Sequence, residues 1–338
     1  MSRAFVTGLK GTVLLAEERA FLAEASPWGL ILFRRNVESP DQLKRLTGDF
    51  RDAVGWQAPV LVDQEGGRVQ RLTAPHWRKY PSGRRLAGAA ALAGDDRLIA
   101  DVAHLIGDEL AAVGIDVDCA PCLDIATPDM TPAIGDRSYG ERPDLVASAG
   151  RAFAEGMMAA GLLPVIKHVP GHGRARVDSH HELPVVEADL ERLDASDFMP
   201  FAALADLPAA MTAHLVYTAI DPARPATQSP IVIEDVIRGR IGFDGLLFSD
   251  DLSMNALKGT IAERARATLA AGCDIALHCS GDMAEMTAVA AEAPELVGKA
   301  ASRAERALKA RGGSPHDDAD GVLARLDAAL VAYDAVAV

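Results

Sequence analysis

Short apolar runs recur along the chain, and longer segments of mixed polarity separate them. Each run is nearly continuous in hydrophobic residues rather than alternating with polar ones. That pattern is typical of parallel β-strands covered on both faces. The predicted strands span residues 4–9, 29–33, 59–63, 115–119, 164–168, 209–215, 245–249 and 274–278.

The segments between these runs carry apolar residues at helical spacing. Amphipathic helices are predicted over residues 40–54, 98–113, 144–160, 187–205, 261–271 and 283–291, with a short terminal helix at about 321–336. Strands that alternate with helices indicate βα units. No Gly-x-Gly-x-x-Gly follows a strand, so a dinucleotide-binding fold has no support. We expect an α/β fold with one domain over residues 1–338, a (β/α)8 barrel of the TIM type followed by the terminal helix.

Polar side chains follow almost every predicted strand. They are Arg34, Arg35 and Asn36, then Asp63, Gln64 and Glu65, then Asp124, Lys167, His168, His214, Asp250 and Asp251. The carboxyl ends of the strands of a (β/α)8 barrel meet on one face, and that face carries the active site. One such residue alone would be a solvated loop residue, but agreement among six strands favours an enzyme.

The composition is that of an acidic globular protein. The 338 residues include 34 Lys and Arg against 48 Asp and Glu, a net charge of −14. This charge argues against nucleic acid or an anionic membrane as a partner. The first residues lack the apolar stretch of a signal peptide, and no window reaches the roughly 18–20 apolar residues of a membrane span. We expect a cytoplasmic protein.

The four cysteines, at positions 119, 122, 273 and 279, allow two interpretations. Cys119 and Cys122 have the C-x-x-C spacing of metal and redox sites. Both, however, lie where a buried strand runs into a loop, and five residues separate the second pair. Reduced thiols in the core are the expected state, and zinc binding or a redox dithiol is the alternative.

Four of the nine histidines lie between residues 167 and 181. Glycines flank His172, and the next residues offer little to pack, which is typical of a loop that can close over a substrate. Asp178 and His180 are two apart, so in extended backbone their side chains would lie on the same side. Such a pair fixes the imidazole tautomer for proton transfer. The alternative is a surface loop whose histidines have no function.

A metal site is a further alternative for the same segment. Imidazole nitrogens could be supplied by His168, His172, His180 and His181. Metal-dependent barrel hydrolases, however, usually carry His-x-His at the end of the first strand, where this chain has Thr7-Gly8-Leu9. His172 between glycines would also lack the surrounding support that metal ligands need. We therefore predict no metal.

Two adjacent carboxylates follow the apolar strand at 245–249. Neighbouring side chains point in different directions, so only one of Asp250 and Asp251 should face a substrate. Cleavage of a glycosidic bond needs a carboxylate opposite a proton donor. One group protonates the leaving oxygen, and the other attacks or stabilises the anomeric centre. The alternative is a helix N-cap, which either carboxylate could supply, and both roles can hold at once.

Two further segments indicate recognition of a hydroxyl-rich ligand. Residues 62–72 combine a strand end, an acidic cluster, a Gly-Gly turn and arginines. Residues 134–140 form a loop framed by glycines that presents Asp136 and Arg137. Each signal alone is weak, because a loop arginine is usually solvated.

Together the four segments resemble bacterial β-N-acetylglucosaminidases of glycoside hydrolase family 3. The family's motifs appear here as Asp63-Gln-Glu-Gly-Gly-Arg-Val69, Gly135-Asp-Arg-Ser-Tyr-Gly140, Lys167-His-Val-Pro-Gly-His-Gly173 with Asp178-Ser-His180, and Phe248-Ser-Asp-Asp-Leu-Ser-Met254. They occur in the family's order and spacing over essentially the whole chain, which makes the combination highly specific.

The resemblance implies an exo-acting, retaining β-N-acetylhexosaminidase that forms a covalent glycosyl-enzyme and needs no cofactor. Asp250 corresponds to the nucleophile, and His180, paired with Asp178, corresponds to the general acid/base. A neutral imidazole in that role avoids the repulsion that a second carboxylate would meet beside Asp250. The residues that correspond to the sugar-binding set are Asp63, Arg71, Arg137, Lys167 and His168.

The implied substrate is a small carbohydrate, a terminal β-N-acetylglucosamine on a peptidoglycan fragment. In the family this is N-acetylglucosaminyl-1,6-anhydro-N-acetylmuramic acid, with or without peptide, in cell-wall recycling. We expect a monomer in which Arg71, Arg137 and Lys167 form a local basic cluster for a polar or anionic ligand. The chain departs from the family at Val169, usually Phe, and at Arg174-Ala175, usually Asp-Thr.

Three alternatives remain open. Within the family, a β-N-acetylglucosaminide phosphorylase is possible, because a histidine acid/base leaves room for phosphate where a carboxylate would repel it. From other classes, a metal-dependent hydrolase and a sugar-binding barrel without activity compete. The presence of Asp250, Asp178 and His180 argues against the last of these.

Overall fold

The computed structural model describes residues 2–179 and 181–336. The strands of this part are β1 (Arg3–Thr7), β2 (Pro27–Leu32), β3 (Val60–Val62), β4 (Gln64–Gly66), β5 (Val69–Gln70), β6 (Val117–Asp118), β7 (Leu163–Pro164), β8 (Ile166–Val169), β9 (Val185–Val186), β10 (Ala209–Thr212), β11 (Val216–Tyr217), β12 (Leu246–Phe248) and β13 (Ala276–Leu277). Each of the eight predicted strands is confirmed, with β7 and β8 sharing one prediction.

Helices fill the intervals between the strands. They are α1 (Ala16–Ala25), α2 (Pro40–Val54), α3 (Gly83–Ala93), α4 (Leu98–Ala111), α5 (Pro143–Ala159), α6 (Leu190–Ala195), α7 (Met199–Ala203), α8 (Ile261–Ala271), α9 (Met283–Glu292), α10 (Gly298–Lys309) and α11 (Ala319–Val336), with 3-10 turns at Arg34–Asn36, Gly135–Arg137 and Ala226–Gln228 and a π-helix at Val232–Arg240. Within the described ranges, no helix is long and apolar enough to cross a membrane.

The main strands form two parallel sheets. Their orders are β13-β1-β2-β3-β6-β7 and β12-β10-β8. Only Val165 separates β7 from β8 along the chain, and a parallel bridge joins Phe248 of β12 to Ile275 beside β13. The expected α/β alternation with parallel strands is confirmed. The described strands pair as these two sheets, so the pairing by itself does not give one closed barrel.

Alternate strand positions divide the core into two layers. Between the sheets and the helices lies a large cluster that includes Leu30, Val62 and Ile166. The opposite faces of the same strands bury a second cluster, in which the rings of Trp28 and Phe248 lie 5.4 Å apart. Because both faces of the strands are buried, their sequences are continuously apolar.

Local signals set the ends of several helices. At the start of α2, Ser39 Oγ accepts a hydrogen bond from the backbone N–H of Gln42, and Pro40 takes the first position. Both features favour helix initiation. The prediction of one helix over 187–205 is wrong, because the backbone leaves helical geometry at Ser196, where α6 ends. The segment therefore forms two short helices.

The terminal helix α11 packs back onto α3 and α4. Val322, Leu326 and Ala329 are buried in the large core cluster. A Cβ on Gly88 of α3 would lie 2.3 Å from the ring of Tyr333. The ring can therefore pack there only because Gly88 has no side chain. The predicted helix at about 321–336 is confirmed and begins at Ala319.

Candidate active site

A cavity of about 290 Å³ opens at the carboxyl ends of the strands. This volume lies at the lower end of the range for small-molecule sites, about 300–1,000 Å³. His180 lies outside the described residues. The other seven predicted site residues all line the cavity: Asp63, Arg71, Arg137, Lys167, His168, Asp178 and Asp250.

Asp63, directly after β3, binds two cations. Its Oδ1 accepts a hydrogen bond from Lys167 Nζ at 2.7 Å, and its Oδ2 accepts one from Arg71 Nη2 at 2.7 Å. Burial alone would raise the pKa of Asp63, but Lys167 and Arg71 lower it well below its usual range. Asp63 is therefore an ionised acceptor in the cavity wall.

A tight hairpin places Arg71. Gly66, the last residue of β4, and Gly67 after it have φ of 94° and 61°, which favours glycine. A Cβ on Gly66 would lie 2.2 Å from the carbonyl oxygen of Pro81. The side chain of Gln64 then accepts hydrogen bonds from the backbone N–H groups of Arg71 and Leu72, at 2.9 and 3.0 Å. The Gly-Gly turn thus brings the arginine back beside the strand end.

Glu65 was noted in the sequence only as one of the polar residues after a strand, yet it belongs to the site. Its two oxygens accept a bidentate pair of hydrogen bonds from Arg137, at 2.9 and 2.7 Å, and Oε1 also lies 2.7 Å from Lys167 Nζ. Burial would raise the pKa of Glu65, but Arg137 and Lys167 hold it at about 2. Its position two residues after Asp63, in the same acidic motif, was the sequence feature that could have indicated its role.

The expected basic cluster is therefore closely neutralised. Arg71, Arg137 and Lys167 carry three positive charges, and Asp63 and Glu65 balance two of them. The side chain of Lys167 is 2% exposed, and its pKa is raised because the two carboxylates outweigh the effect of burial. The cluster offers fixed donors and acceptors with one excess positive charge rather than three free cations.

His168 is held by Asp124, a buried residue after β6. His168 Nδ1 lies 2.6 Å from Asp124 Oδ2, and its Nε2 lies 3.4 Å from Arg137 Nη2. Burial would raise the pKa of Asp124, but His168 and His172 lower it well below its usual range. Asp124 was noted at a strand end in the sequence but not assigned to the site.

One group of side chains in the described ranges could hold a metal ion. It consists of Cys122, Asp124 and His168, whose ligand atoms lie within 4.8 Å of one another. Cys122 Sγ lies 3.2 Å from Asp124 Oδ2, so hydrogen bonds account for the arrangement. The prediction that the enzyme needs no metal stays a prediction.

The two adjacent carboxylates after β12 have different surroundings. Asp250 Oδ1 accepts a hydrogen bond from the backbone N–H of Asp251 at 2.8 Å. Asp251 Oδ1 accepts from the backbone N–H groups of Ser253 and Cys279, at 3.0 and 3.1 Å. Asp251 therefore binds two loops together. The capping interpretation is wrong for this pair, because the described residues 252–258 form turns and the next helix, α8, begins at Ile261 with Thr260 as its N-cap.

The pKa of Asp250 is lowered by its neighbours. Burial would raise it, but His214, His168 and the backbone N–H of Asp251 have the larger combined effect. His214 itself is fully buried, and its Nε2 lies 2.9 Å from the carbonyl oxygen of Asp251. Because a carbonyl only accepts, this nitrogen carries the proton. Asp250 is thus an ionised carboxylate whose support comes from a strand-end histidine.

The histidine-rich loop contains a buried imidazole and a turn. His172 is 2% exposed, and its Nε2 lies 3.4 Å from Ser179 Oγ; burial lowers its pKa to about 4. The expected extended backbone at Asp178 is wrong, because the N–H groups of His181 and Glu182 both donate to its carbonyl oxygen, at 2.9 and 3.1 Å. A turn, rather than alternation along a strand, sets the direction of this segment.

All four cysteines are buried free thiols, as expected. Burial raises the pKa of each thiol above its ordinary value.

Comparison with known proteins agrees with the geometry. Residues 9–308 match the model of the glycosyl hydrolase family 3 N-terminal domain. The β-hexosaminidase of Methylococcus capsulatus is 42% identical over 322 residues, which cover 94% of this chain and 93% of that protein. Native NagZ from Neisseria gonorrhoeae superposes with a TM-score of 0.85 at 31% identity, covering 98% of this chain and 96% of that one.

A second structure of the same NagZ, in complex with N-trifluoroacetyl-D-glucosamine, gives a TM-score of 0.85 at 30% identity and covers 100% of this chain and 98% of that one. The α/β fold and the carboxylate-lined cavity thus define a glycoside hydrolase. The chain belongs to glycosyl hydrolase family 3, and its activity is that of the β-hexosaminidases.

Proposed function

We propose that the chain is an exo-acting, retaining β-N-acetylhexosaminidase. In this proposal Asp250 is the nucleophile, and His180, oriented by Asp178, is the general acid/base. The observation that carries the proposal is that Asp250 and Asp178 line the same cavity as the five residues implied to bind sugar. A reacting carboxylate, the partner of the proton donor and the sugar-binding groups therefore share one chamber.

In the first step, a carboxylate oxygen of Asp250 attacks the anomeric carbon. The bond between that carbon and the leaving oxygen breaks, and His180 gives its proton to the leaving oxygen. The products are a glycosyl ester on Asp250 and the free aglycone. The lowered pKa of Asp250 supports this role, because the nucleophile must be ionised before substrate arrives.

In the second step, water attacks the same carbon. His180, now neutral, takes a proton from the water as the ester bond to Asp250 breaks. The sugar leaves with the configuration it had in the substrate, and both groups return to their starting state. If phosphate took the place of water, the product would be a sugar 1-phosphate, which is the phosphorylase alternative.

The ion-pair network supplies the proposed sugar-binding groups. Lys167 and Arg137 present N–H donors, and Asp63 presents an acceptor, for the hydroxyls of a terminal sugar. Glu65 positions both cations through bonds of 2.7 to 2.9 Å. Because these side chains already hold one another, little ordering cost remains when a sugar binds.

The proposed substrate is a terminal β-N-acetylglucosamine on a peptidoglycan fragment with an anhydro-muramic acid end. A neisserial NagZ with 30% identity binds N-trifluoroacetyl-D-glucosamine, an analogue of that sugar. A cavity of about 290 Å³ favours a single sugar ring over a longer chain. Incubation with the fragment and mass spectrometry of the products would identify the bond that is cut.

We also propose that the two sheets form one (β/α)8 barrel in a single domain. One chain connection and two contacts support closure: the single residue Val165 links β7 to β8, a bridge joins Phe248 to Ile275, and the rings of Trp28 and Phe248 pack 5.4 Å apart across the interior. The proposed domain acts as a monomer.

A trapping experiment tests the mechanism. A fluorinated N-acetylglucosaminyl substrate should inactivate the enzyme by forming a stable ester, and peptide mapping should find the label on Asp250. A label on another residue, or turnover without any trapped ester, would contradict the proposal. Turnover of an unfluorinated β-N-acetylglucosaminide in phosphate buffer distinguishes the alternative, because only a phosphorylase yields the sugar 1-phosphate. Activity that persists with a chelator would exclude the metal-dependent hydrolase.

A further inference from the structure

Arg174 forms a partly buried ion pair at the position where this family usually has an acidic residue. Its Nε lies 2.6 Å from Asp197 Oδ2, and its Nη2 lies 2.8 Å from Ser196 Oγ. The side chain of Asp197 is 2% exposed and that of Arg174 is 18% exposed. Asp197 lies in the break between α6 and α7, so the pair joins the histidine-rich loop to that break.

The residues on either side of Arg174 are also fixed. We call residues 171–175 the loop root. Tyr217 Oη donates to the carbonyl oxygen of Gly171 at 2.5 Å, and Thr127 Oγ1 donates to that of Gly173 at 2.8 Å. A Cβ on Gly173 would lie 1.9 Å from the carbonyl oxygen of Ile125, so the backbone of the root packs directly on its neighbour. The root is a rigid base.

We call the next residues, 176–179, the loop tip, and the contacts of Arg176 and Ser179 in it are longer than those of the root. Arg176 lies 3.6 Å from Asp129, and both side chains are about three-quarters exposed, at 74% and 75%. The carbonyl oxygen of Ser179 accepts from the N–H of Ala256 at 3.2 Å. The tip carries Asp178 and leads directly to His180.

We propose that Arg174 is a positioning residue for proton transfer. Its ion pair with Asp197 fixes the loop root, and the root in turn holds the position of Asp178, which lines the cavity and orients His180 in the proposed mechanism. This inference rests on the proposed function and deepens it. Displacement of a reacting group by about 1 Å can cost about 10²-fold in rate, so a loosened root should impair protonation.

The test compares two substrates in variants of the loop. Arg174→Ala should reduce kcat for an alkyl or disaccharide β-N-acetylglucosaminide by about 10- to 100-fold, because these leaving groups need protonation. It should reduce kcat for an activated aryl glycoside much less. Arg174→Lys should recover part of the loss, since it keeps the charge but lacks the guanidinium fork. Arg176→Ala, which removes the neighbouring exposed arginine, is the matched control and should leave both rates unchanged.

The ratio of the two rates separates positioning from mere stability. If Arg174→Ala lowered both rates equally, or neither, the inference would be overturned, whatever the melting temperature did. If Arg174→Ala failed to fold, Arg174→Lys and Asp197→Asn would provide the same ratio, and an unchanged ratio in both would overturn it. A wild-type enzyme that hydrolysed neither substrate would instead refute the proposed function.

Discussion

The Nδ1 atom of His168 lies 2.6 Å from Oδ2 of Asp124, beneath the floor of the cavity. A carboxylate only accepts, so Nδ1 carries the proton, and Nε2 presents its lone pair toward Arg137, whose Nη2 is 3.4 Å away. Asp124 Oδ1 also accepts from the backbone N–H groups of His168 and His172, at 3.3 and 2.6 Å. One buried carboxylate thus fixes both the backbone and the imidazole tautomer at this edge.

Asp124→Asn should therefore harm both stability and binding. Every partner of Asp124 donates, and an amide nitrogen cannot accept, so at least one buried donor loses its acceptor. We expect a loss of about 1–3 kcal/mol in the free energy of unfolding and a higher KM. Denaturant unfolding and steady-state kinetics would measure these. Asp136→Asn, at an exposed pair with Arg68, is the control. Wild-type KM and stability in Asp124→Asn would contradict the assigned role.

Much of the fold could be predicted because buried parallel strands appear in the sequence as continuous apolar runs. A strand such as Gly29–Leu32 is covered on both sides, so every position is apolar. The residues that follow these strands, among them Asp63 and Lys167, could be grouped because the architecture brings strand ends together. Their common membership of one cavity is a consequence of the fold, not of their separate motifs.

Pairings through space were not predictable in the same way. No local sequence pattern around Arg137 shows that Glu65, 72 residues away, accepts two of its N–H groups. The break that divides the expected helix at 187–205 depends on Ser196 and on the buried Asp197, whose cation comes from a different loop. Such contacts can be identified only from the tertiary structure, because the local sequence does not indicate which distant residue will be the partner.

The two adjacent aspartates should respond differently to the same substitution. Asp250→Asn should reduce kcat by roughly 10⁴-fold, the size of effect expected when a member of a catalytic unit is removed. Asp251→Asn should affect kcat far less and lower the melting temperature only slightly, because its amide oxygen can still accept from the N–H groups of Ser253 and Cys279 and only the acceptor of Ser253 Oγ is lost. Steady-state rates with an aryl β-N-acetylglucosaminide and thermal unfolding would separate the two. Equal losses of kcat would show that the pair is not divided in this way.

Lys167 should be important for stability as well as for binding. Lys167→Met removes the cation that Asp63 and Glu65 share. The two buried carboxylates then repel each other without a positive charge between them. We expect a loss of about 3–5 kcal/mol in the free energy of unfolding, toward the lower end because Arg71 and Arg137 remain. Chemical denaturation would measure it. Arg142→Ala, which removes an exposed ion pair with Asp144, should leave stability unchanged. A fully stable Lys167→Met would mean that the network contributes nothing to folding.

His180→Ala should discriminate between leaving groups. Loss of general acid catalysis should reduce the rate on poor leaving groups by about 10²- to 10⁴-fold, and the rate on activated aryl glycosides far less. His181→Ala is the matched control, because this neighbouring histidine is exposed. Kinetics over a series of phenols of increasing acidity would give the dependence on leaving group. Equal damage to all substrates would argue against His180 as the acid.

Glu109 should make stability depend on pH far from the cavity. Tyr80 Oη donates to its Oε1 at 3.0 Å, and burial raises the pKa of Glu109 from 4.5 to about 7 despite that bond. Between pH 4.5 and 7 the folded protein therefore holds a proton that the unfolded chain has released, so stability falls as pH rises through this window and stays reduced above it.

Glu109→Gln isolates this effect, because an amide does not titrate and its oxygen can still accept from Tyr80. At pH 4.5 both proteins are neutral at this position, and any difference in melting temperature reports only the exchange of oxygen for NH2. As the pH rises through 7, the variant should gain stability relative to the wild type, and the difference should level off toward pH 8, where the folded Glu109 has released most of its proton. If the difference in melting temperature did not change from pH 4.5 to 8, the pKa of Glu109 would not be raised in the folded protein. Melting curves at closely spaced pH values decide between the two, since only a titrating group produces a step.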